Sequence, residues 1–204
     1  MAYHQPFQIT GFHSCDKETG IRVLSGQDQL IPSNNTWDWL GGGVYFWEQN
    51  PVRALEYAIE SAKGKQKNKI PIKTPLVIGA IIELGNCLNL IEPASIAIVK
   101  EAYNALEKVA KQSNEKMPVN RGANRALDCA VIQYMHESNK TEGTAAYDTI
   151  RCAFQEGGAV YKDSNFFERL HIEICVLNTN LIKGYFLPRP IHEFNPYLNT
   201  EFVK

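Results

Sequence analysis

The segment at residues 37–48, Trp-Asp-Trp-Leu-Gly-Gly-Gly-Val-Tyr-Phe-Trp-Glu, constrains this chain more than any other. It holds all three tryptophans of the protein beside three consecutive glycines. Glycines let the backbone turn tightly and let a ligand approach closely, because no Cβ stands in the way. The β-branched and aromatic residues that follow predict a short strand. The pattern suits the floor of a site for a flat ligand, and it is also typical of a turn before a core strand.

Length and charge limit what the chain can be. Its 204 residues, with 44% hydrophobic and 21% charged residues, are typical of one globular domain, or of one domain with an insertion. With a net charge of −1, the protein as a whole does not attract nucleic acid or an anionic membrane electrostatically. No apolar run reaches the roughly 18 residues of a membrane span, and we see no signal peptide. We therefore expect a cytoplasmic protein without membrane contact.

The five cysteines indicate free thiols. They are widely spaced, odd in number and never arranged as Cys-x-x-Cys. This pattern argues for a reducing compartment and against both a disulfide framework and a zinc site. We expect no bound metal.

The first third of the chain carries clear boundary signals. Residues 7–12 predict a strand that ends at residues 13–16, and a helix should follow at 17–25 with Asp16 as its N-cap. Asn50 and Pro51 predict the start of a second helix. Lysines crowd residues 63–73, where they form either a solvated loop or a loop that contacts phosphates.

The remaining elements follow from periodicity. Residues 76–84 predict a buried strand, and residues 93–111 and 126–136 predict two helices. Together these helices suggest a helical insertion at about residues 93–139. Further strands are expected at residues 147–154, 170–177 and 182–187, with a polar loop at residues 155–168.

Three blocks of the sequence occur in an order that points to one superfamily. The blocks are Phe-His-Ser-Cys at residues 12–15, Leu-Gly-Gly-Gly-Val-Tyr-Phe at 40–46, and an apolar strand that holds Glu173. A second tyrosine, Tyr57, follows Tyr45 on the next helix. These blocks resemble the His–Tyr–Glu signature of ADP-ribosyltransferases, in the branch of diphtheria toxin and the poly(ADP-ribose) polymerases. Bacterial stand-alone members look closest, and the match covers about residues 8–58 and 165–188.

The resemblance implies a fold, a co-substrate and a set of residue roles. The fold would be α+β, a split mixed β-core with NAD in a cleft. Glu173, His13 and Tyr45 would be the catalytic residues, with Glu173 on the ribose 2′-hydroxyl. NAD would be bound by five residues: His13, Ser14, Gly43, Tyr45 and Tyr57.

The chemistry of these residues agrees with that assignment. Breaking the bond from nicotinamide to ribose passes through an oxocarbenium-like transition state, which a nearby carboxylate stabilises. Nicotinamide is flat and cationic and therefore suits a slot between the rings of Tyr45 and Tyr57, if these are not simply core aromatics. His13 would donate to a ribose hydroxyl, and the Ser14 main chain would contact the carboxamide.

The sequence departs from the family pattern at two places. Ser14 stands where the family usually has Gly. A side chain there narrows the space in which the main chain would contact the nicotinamide carboxamide. His171 stands two residues before Glu173, where arginine-modifying relatives have Glu, so an arginine target becomes less favoured. Glu168 remains the rival catalytic carboxylate. If the face of Glu173 is solvated, Glu173 is only a surface residue.

The function that follows is mono-ADP-ribosyl transfer from NAD onto a macromolecule, with nucleic acid slightly favoured over protein. The basic residues and the aromatic loop at 155–168 support that preference. A stand-alone domain of this kind suits a toxin or antiviral defence effector held inactive by an antitoxin-like partner. The alternatives are an NAD glycohydrolase and a catalytically inactive module that binds ADP-ribose or a partner.

Overall fold

A computed structural model describes residues 7–64 and 71–198, and those residues form an α+β fold. Their strands are β1 (Gln8–Asp16), β2 (Val44–Glu48), β3 (Pro75–Glu83), β4 (Cys87–Asn89), β5 (Thr149–Ala159), β6 (Phe167–Val176) and β7 (Ile182–Phe186). Their α-helices are α1 (Lys17–Leu24), α2 (Pro51–Ala62), α3 (Pro93–Ser113), α4 (Ala126–Glu142) and α5 (Ile191–Phe194). None of these helices has the length and apolar character needed to cross a membrane.

The chain divides into two compact units. The first unit holds the described parts of residues 1–30, 46–84 and 180–204, and the second holds residues 31–45 and 85–179. The strands of the first unit follow the order β2-β1-β3-β7, and all their pairings are antiparallel. In the second unit β4 pairs with β5 in parallel, and β5 pairs with β6 antiparallel.

The core of the first unit forms around β3, as its apolar sequence predicts. Residues 75–80 of this strand are buried without interruption. Helix α2 packs on one face, where Ala54 contacts a cluster with Phe12 and Val77. Helix α1 approaches closely because Gly20 has no side chain, and a Cβ there would collide with Leu76 and Cys15.

Both predicted helix starts in the first unit are confirmed. Asp16 caps α1 by accepting a hydrogen bond from the Glu18 amide, and Asn50 caps α2 by accepting one from the Arg53 amide. Strand β1 is longer than predicted. It continues through residues 13–16, because these residues keep pairing with β3 as far as Asp16 opposite Pro75.

The second unit is built around α4. Its core brings together buried residues from the glycine-rich turn, β4, α4, β5 and β6, namely Leu40, Leu88, Ile132, Met135, Ile150 and Cys175. Helices α3 and α4 occupy the span predicted for a helical insertion and pack on each other. They connect β4 to β5, and a parallel pair requires such a crossover.

The predicted packing face of α3 is partly wrong. Ile96 and Val109 are exposed, whereas Ser95 and Ala110 are buried and Val99 packs against the core. Large apolar residues occur on both sides of this helix. The face predicted from the sequence pattern is therefore rotated about the helix axis relative to the face that packs.

The predicted loop at residues 155–168 is partly wrong as well. Strand β5 extends to Ala159 and β6 begins at Phe167, so only residues 160–166 form the connection. The glycines that indicated a loop instead form a bulge inside the hairpin, where the pairing register shifts between Glu156 and Ala159. Gly157 has φ +77°, a conformation that glycine adopts readily.

The lysine-rich segment is only partly described. Lys65, Lys67 and Lys69 lie outside the described residues. Lys63 is exposed directly after α2, and Lys73 is exposed with its amide donating to Asp16 Oδ2 at 2.8 Å.

Candidate functional site

The glycine-rich turn of the second unit is held by the hydroxyl of Tyr45. This hydroxyl accepts a hydrogen bond from the Leu40 amide at 3.0 Å and donates one to the Gly41 carbonyl oxygen at 2.7 Å. Burial raises the pKa of Tyr45 above its ordinary value, so the hydroxyl keeps its proton. The ring packs against the core of the second unit. Tyr45 therefore fixes the shape of the turn as well as filling space beneath it.

Gly43 lies in close contact with β6. A Cβ built at this position would collide with Cys175 Sγ and would lie 2.9 Å from the Val176 carbonyl oxygen. The missing side chain therefore lets the turn pack against the strand that carries Glu173. The sequence predicts a close approach at this glycine, and the partners in the structure are the Cys175 side chain and the Val176 main chain.

Glu173 lies on a packed face of β6, between the buried residues His171 and Cys175. It stands opposite Cys152 in the pairing with β5, and Cys175 on the same face stands opposite Ile150 in the core. The solvated-face alternative for Glu173 is therefore wrong. The side chain keeps 18% of its surface exposed, so Glu173 is not closed off from solvent.

His171 is the hydrogen-bond partner of Glu173. Its Nε2 lies 3.1 Å from Glu173 Oε1, and its side chain is almost fully buried. An ionised carboxylate only accepts hydrogen bonds, so Nε2 carries the hydrogen. Nδ1 of the same ring is buried without a hydrogen-bond partner among the described residues. The contact with Nε2 fixes the direction of the Glu173 carboxylate.

The rival carboxylate, Glu168, has a different environment. It is exposed, and its Oε2 accepts a hydrogen bond from the Gly158 amide at 3.2 Å. Residues five apart on a strand lie on opposite faces, so Glu168 does not share the face of Glu173. Glu168 stabilises the bulge of the β5–β6 hairpin.

In the first unit, His13 and Ser14 project to opposite sides of β1. The ring of His13 lies against Phe46, with centroids 5.6 Å apart. The Ser14 hydroxyl is buried and donates to the Ala54 carbonyl oxygen of α2. The Ser14 side chain is thereby directed into α2, and its main chain pairs with Val77 of β3.

Tyr57 belongs to α2 of the first unit. Its ring is 5.1 Å from that of Trp47, which stands opposite Phe12 in the pairing of β1 with β2. His13 follows Phe12 directly and therefore faces the other side. The structure does not bring His13 and Tyr57 onto one face of the strands of the first unit.

A cavity that the sequence patterns did not indicate lies in the second unit, with a volume of about 340 Å³. The guanidinium of Arg125 lies over the Trp39 ring at 4.6 Å, and the Phe154 ring meets Trp39 at 4.3 Å in an edge-to-face arrangement. The tryptophan-rich segment was the sequence signal that could have indicated this cavity, but the residues that contact Trp39 there lie far away in the sequence. The cavity lining consists of Trp39, Arg125, Asp128, Ala153, Phe154, Gln155 and Leu170.

Metal ligands do not cluster in the described part of the chain. Across residues 7–64 and 71–198, no three His, Cys, Asp or Glu side chains come together in a way that could hold a metal ion. The thiol of Cys15 is buried, and burial raises its pKa to about 12, so it is not a thiolate nucleophile near neutral pH.

Comparison with known proteins gives one distant similarity. The chain is 24% identical over 216 residues to the uncharacterized protein MJ0359 of Methanocaldococcus jannaschii, covering 97% of this chain and 95% of that protein. No protein-family model matches the chain, and no solved structure matches it. The similarity extends over nearly the full length of both proteins, so the two chains are alike as whole proteins.

Proposed function

We propose that this protein transfers a single ADP-ribose unit from NAD to a macromolecular acceptor, and that its α+β fold is of the ADP-ribosyltransferase kind. The observation that carries the proposal is Glu173, a carboxylate on a packed face of β6 that is oriented by a buried histidine and is not closed off from solvent. A structural carboxylate is rarely placed on a packed face without a paired cation, because burying charge is costly. Functional carboxylates commonly occupy such positions.

The reaction requires little from the protein besides orientation and charge. The bond from the nicotinamide nitrogen to the ribose breaks, and its electron pair leaves with nicotinamide. The ribose carbon becomes positive until an acceptor atom supplies an electron pair and loses its proton. Glu173 accepts a hydrogen bond from the ribose 2′-hydroxyl and stabilises the developing positive charge. His171 acts through Glu173 and is a positioning residue.

Residues whose chemistry suits NAD occur within each unit, and each unit is considered by itself. In the second unit, Glu173 is partly exposed and the glycine-rich turn is held by Tyr45. In the first unit, His13 is only partly buried and can donate to a hydroxyl. Tyr57 offers a ring face, although it does not share a face with His13.

The direct test uses NAD labelled in its adenosine half. The protein is incubated with this NAD and a crude lysate, and the products are then treated with nuclease or with protease. We expect label on macromolecular material, together with release of free nicotinamide. Nuclease-sensitive label identifies a nucleic-acid acceptor, and protease-sensitive label identifies a protein acceptor. Absence of both label and nicotinamide release, with every lysate and with purified RNA and DNA, would overturn the proposal.

Two other functions use the same residues. An NAD glycohydrolase would release nicotinamide at one rate with or without an acceptor, because water would take the place of the acceptor. An inactive binding module would bind ADP-ribose or a partner protein and release no nicotinamide. A toxin or defence role would appear as growth arrest on expression, relieved by an inhibitory partner.

A further inference from the structure

We propose that the cavity beside Trp39 binds a nucleobase of a single-stranded nucleic acid. This inference rests on the proposed function, since it names the acceptor class of the transferase. The cavity lies wholly within the second unit, and none of its lining residues is among the residues that we place around NAD.

The aromatic and cationic surface of the cavity suits a flat base. Arg125 is stacked over Trp39, and Phe154 packs edge to face with the same indole. The indole is locked in place, because its Nε1 donates to the Ala123 carbonyl oxygen at 3.2 Å. Bases commonly stack on aromatic rings and on guanidinium planes. A volume of about 340 Å³ falls in the range of small-molecule pockets, about 300–1,000 Å³.

The polar groups of the cavity suit the edge of a base. Nε of Arg125 is buried without a hydrogen-bond partner among the described residues, which leaves a donor unsatisfied. Asp128 supplies acceptors and Gln155 supplies both a donor and an acceptor. The edge of a nucleobase presents donors and acceptors side by side, so these three residues match its chemistry better than that of a phosphate, which only accepts.

The same hairpin continues the aromatic surface. At its tip Tyr161 and Phe166 are both exposed and pack edge to face with centroids 6.5 Å apart. Lys162 is exposed beside Tyr161. Exposed aromatic side chains interleaved with a cation are typical of surfaces that follow single strands. A strand with one base in the cavity would therefore find further stacking partners along the β5–β6 hairpin.

The test measures binding of fluorescein-labelled hexanucleotides, one for each base, by fluorescence anisotropy without NAD. We expect Arg125→Gln to raise the Kd about tenfold or more, since stacking and edge contacts are both lost. Arg121→Gln is the matched control, because Arg121 is exposed in the same connector and does not line the cavity. We expect it to change the Kd by less than about threefold, as for a single phosphate contact.

A second pair of variants guards against a folding defect. Gln155→Glu places a negative charge at an exposed position of the cavity, and we expect it to weaken binding without affecting the fold. Gln133→Glu adds the same charge at an exposed position of α4 outside the cavity, and we expect no change in binding. Circular dichroism checks that all four variants keep the wild-type fold.

Three results would overturn the inference. The first is equal weakening by Arg125→Gln and Arg121→Gln, which would mean that only charge matters. The second is equal binding of an abasic hexanucleotide. The third is displacement of the hexanucleotide by NAD in the wild-type protein but not in Arg125→Gln. That result would place a part of NAD in the cavity. Nicotinamide release by the wild-type protein is measured separately. Its absence would defeat the proposed function while leaving base binding intact.

Discussion

Nε2 of His171 lies 3.1 Å from Oε1 of Glu173, and both side chains lie on one packed face of β6. The hydrogen bond fixes one carboxylate oxygen. A carboxylate oxygen has more than one acceptor site, so Glu173 can still accept a hydrogen bond from a substrate hydroxyl. The pair therefore behaves as an oriented acceptor, and each of its members can be tested separately.

Glu173→Gln should reduce transfer by about a hundredfold or more, since it removes a preorganised negative charge that acts in the transition state. The amide keeps the size of the side chain, so we expect folding and NAD affinity to change little. Single-turnover nicotinamide release measures the effect, and Glu168→Gln is the matched control. Full activity in Glu173→Gln combined with loss in Glu168→Gln would place the catalytic carboxylate at the hairpin bulge instead.

His171→Phe should lower kcat by roughly ten- to a hundredfold, because a hydrogen bond to a charged group is worth about 1.5–3 kcal/mol. His171→Gln keeps a donor at similar reach and should recover part of the activity. We expect KM for NAD to change little in both variants, as befits a positioning residue. Equal activities of the Phe and Gln variants would show that the ring only fills space.

Tyr45→Phe should lower the free energy of unfolding by about 1–3 kcal/mol, because it leaves the Leu40 amide and the Gly41 carbonyl without their partner. Urea denaturation followed by circular dichroism measures the change. Tyr161→Phe is the control, since Tyr161 is exposed. Unchanged stability in Tyr45→Phe would show that water replaces the hydroxyl at the turn.

Gly43→Ala should destabilise the protein by about 1–3 kcal/mol, the usual cost of forcing an extra methyl group into a packed interior. The added Cβ would press on Cys175 and on the backbone of β6, and backbone cannot rotate away. Gly184→Ala is the matched control, because a Cβ there meets nothing within 4 Å. The melting temperatures of the two variants are compared by thermal unfolding. Equal melting temperatures would contradict the close approach at Gly43.

Alkaline pH should destabilise the protein through Cys15. Burial, and then the charge of Asp16, raise the pKa of this thiol from its ordinary value of 9.0 to about 12. The folded state favours the neutral thiol, so its contribution is complete below pH 9.0 and is lost as the pH rises toward about 12.

The free energy of unfolding, measured by urea denaturation between pH 8 and pH 10.5, should therefore fall in the wild-type protein, by up to about 1.4 kcal/mol per pH unit for each such thiol. Cys15→Ala should make this dependence shallower, since burial also raises the pKa values of Cys152 and Cys175, and it should lower stability at neutral pH. A slope that is the same in Cys15→Ala and in the wild type would show that other groups control alkaline unfolding.

Local signals predicted the elements of the first unit well. Asp16 and Asn50 are caps whose partners lie two and three residues away, so sequence alone contains both members of each contact. Strand β4 was missed because its three residues are defined only by pairing with β5. The bulge at Gly157 was mistaken for a loop for the same reason, because its register is set by the partner strand.

The candidate site, like the fold, was predictable only where its residues are close in the sequence. The spacing of His171 and Glu173 placed them on one face, but only the packing of the second-unit core shows that this face is covered. The contact between Trp39 and Arg125 joins residues that lie far apart in the chain and that no periodic pattern relates, so it is visible only in the structure.

The parallel pairing of β4 with β5 has a consequence for the order of folding. The segment that contains α3 and α4 separates Cys87–Asn89 from its partner strand. Closing so long a loop carries an entropic cost that the three-residue strand offsets only slightly. The β5–β6 hairpin needs no such closure and should form early. Pulse-labelled hydrogen exchange during refolding should therefore protect the amides of β6 first and those of β4 last.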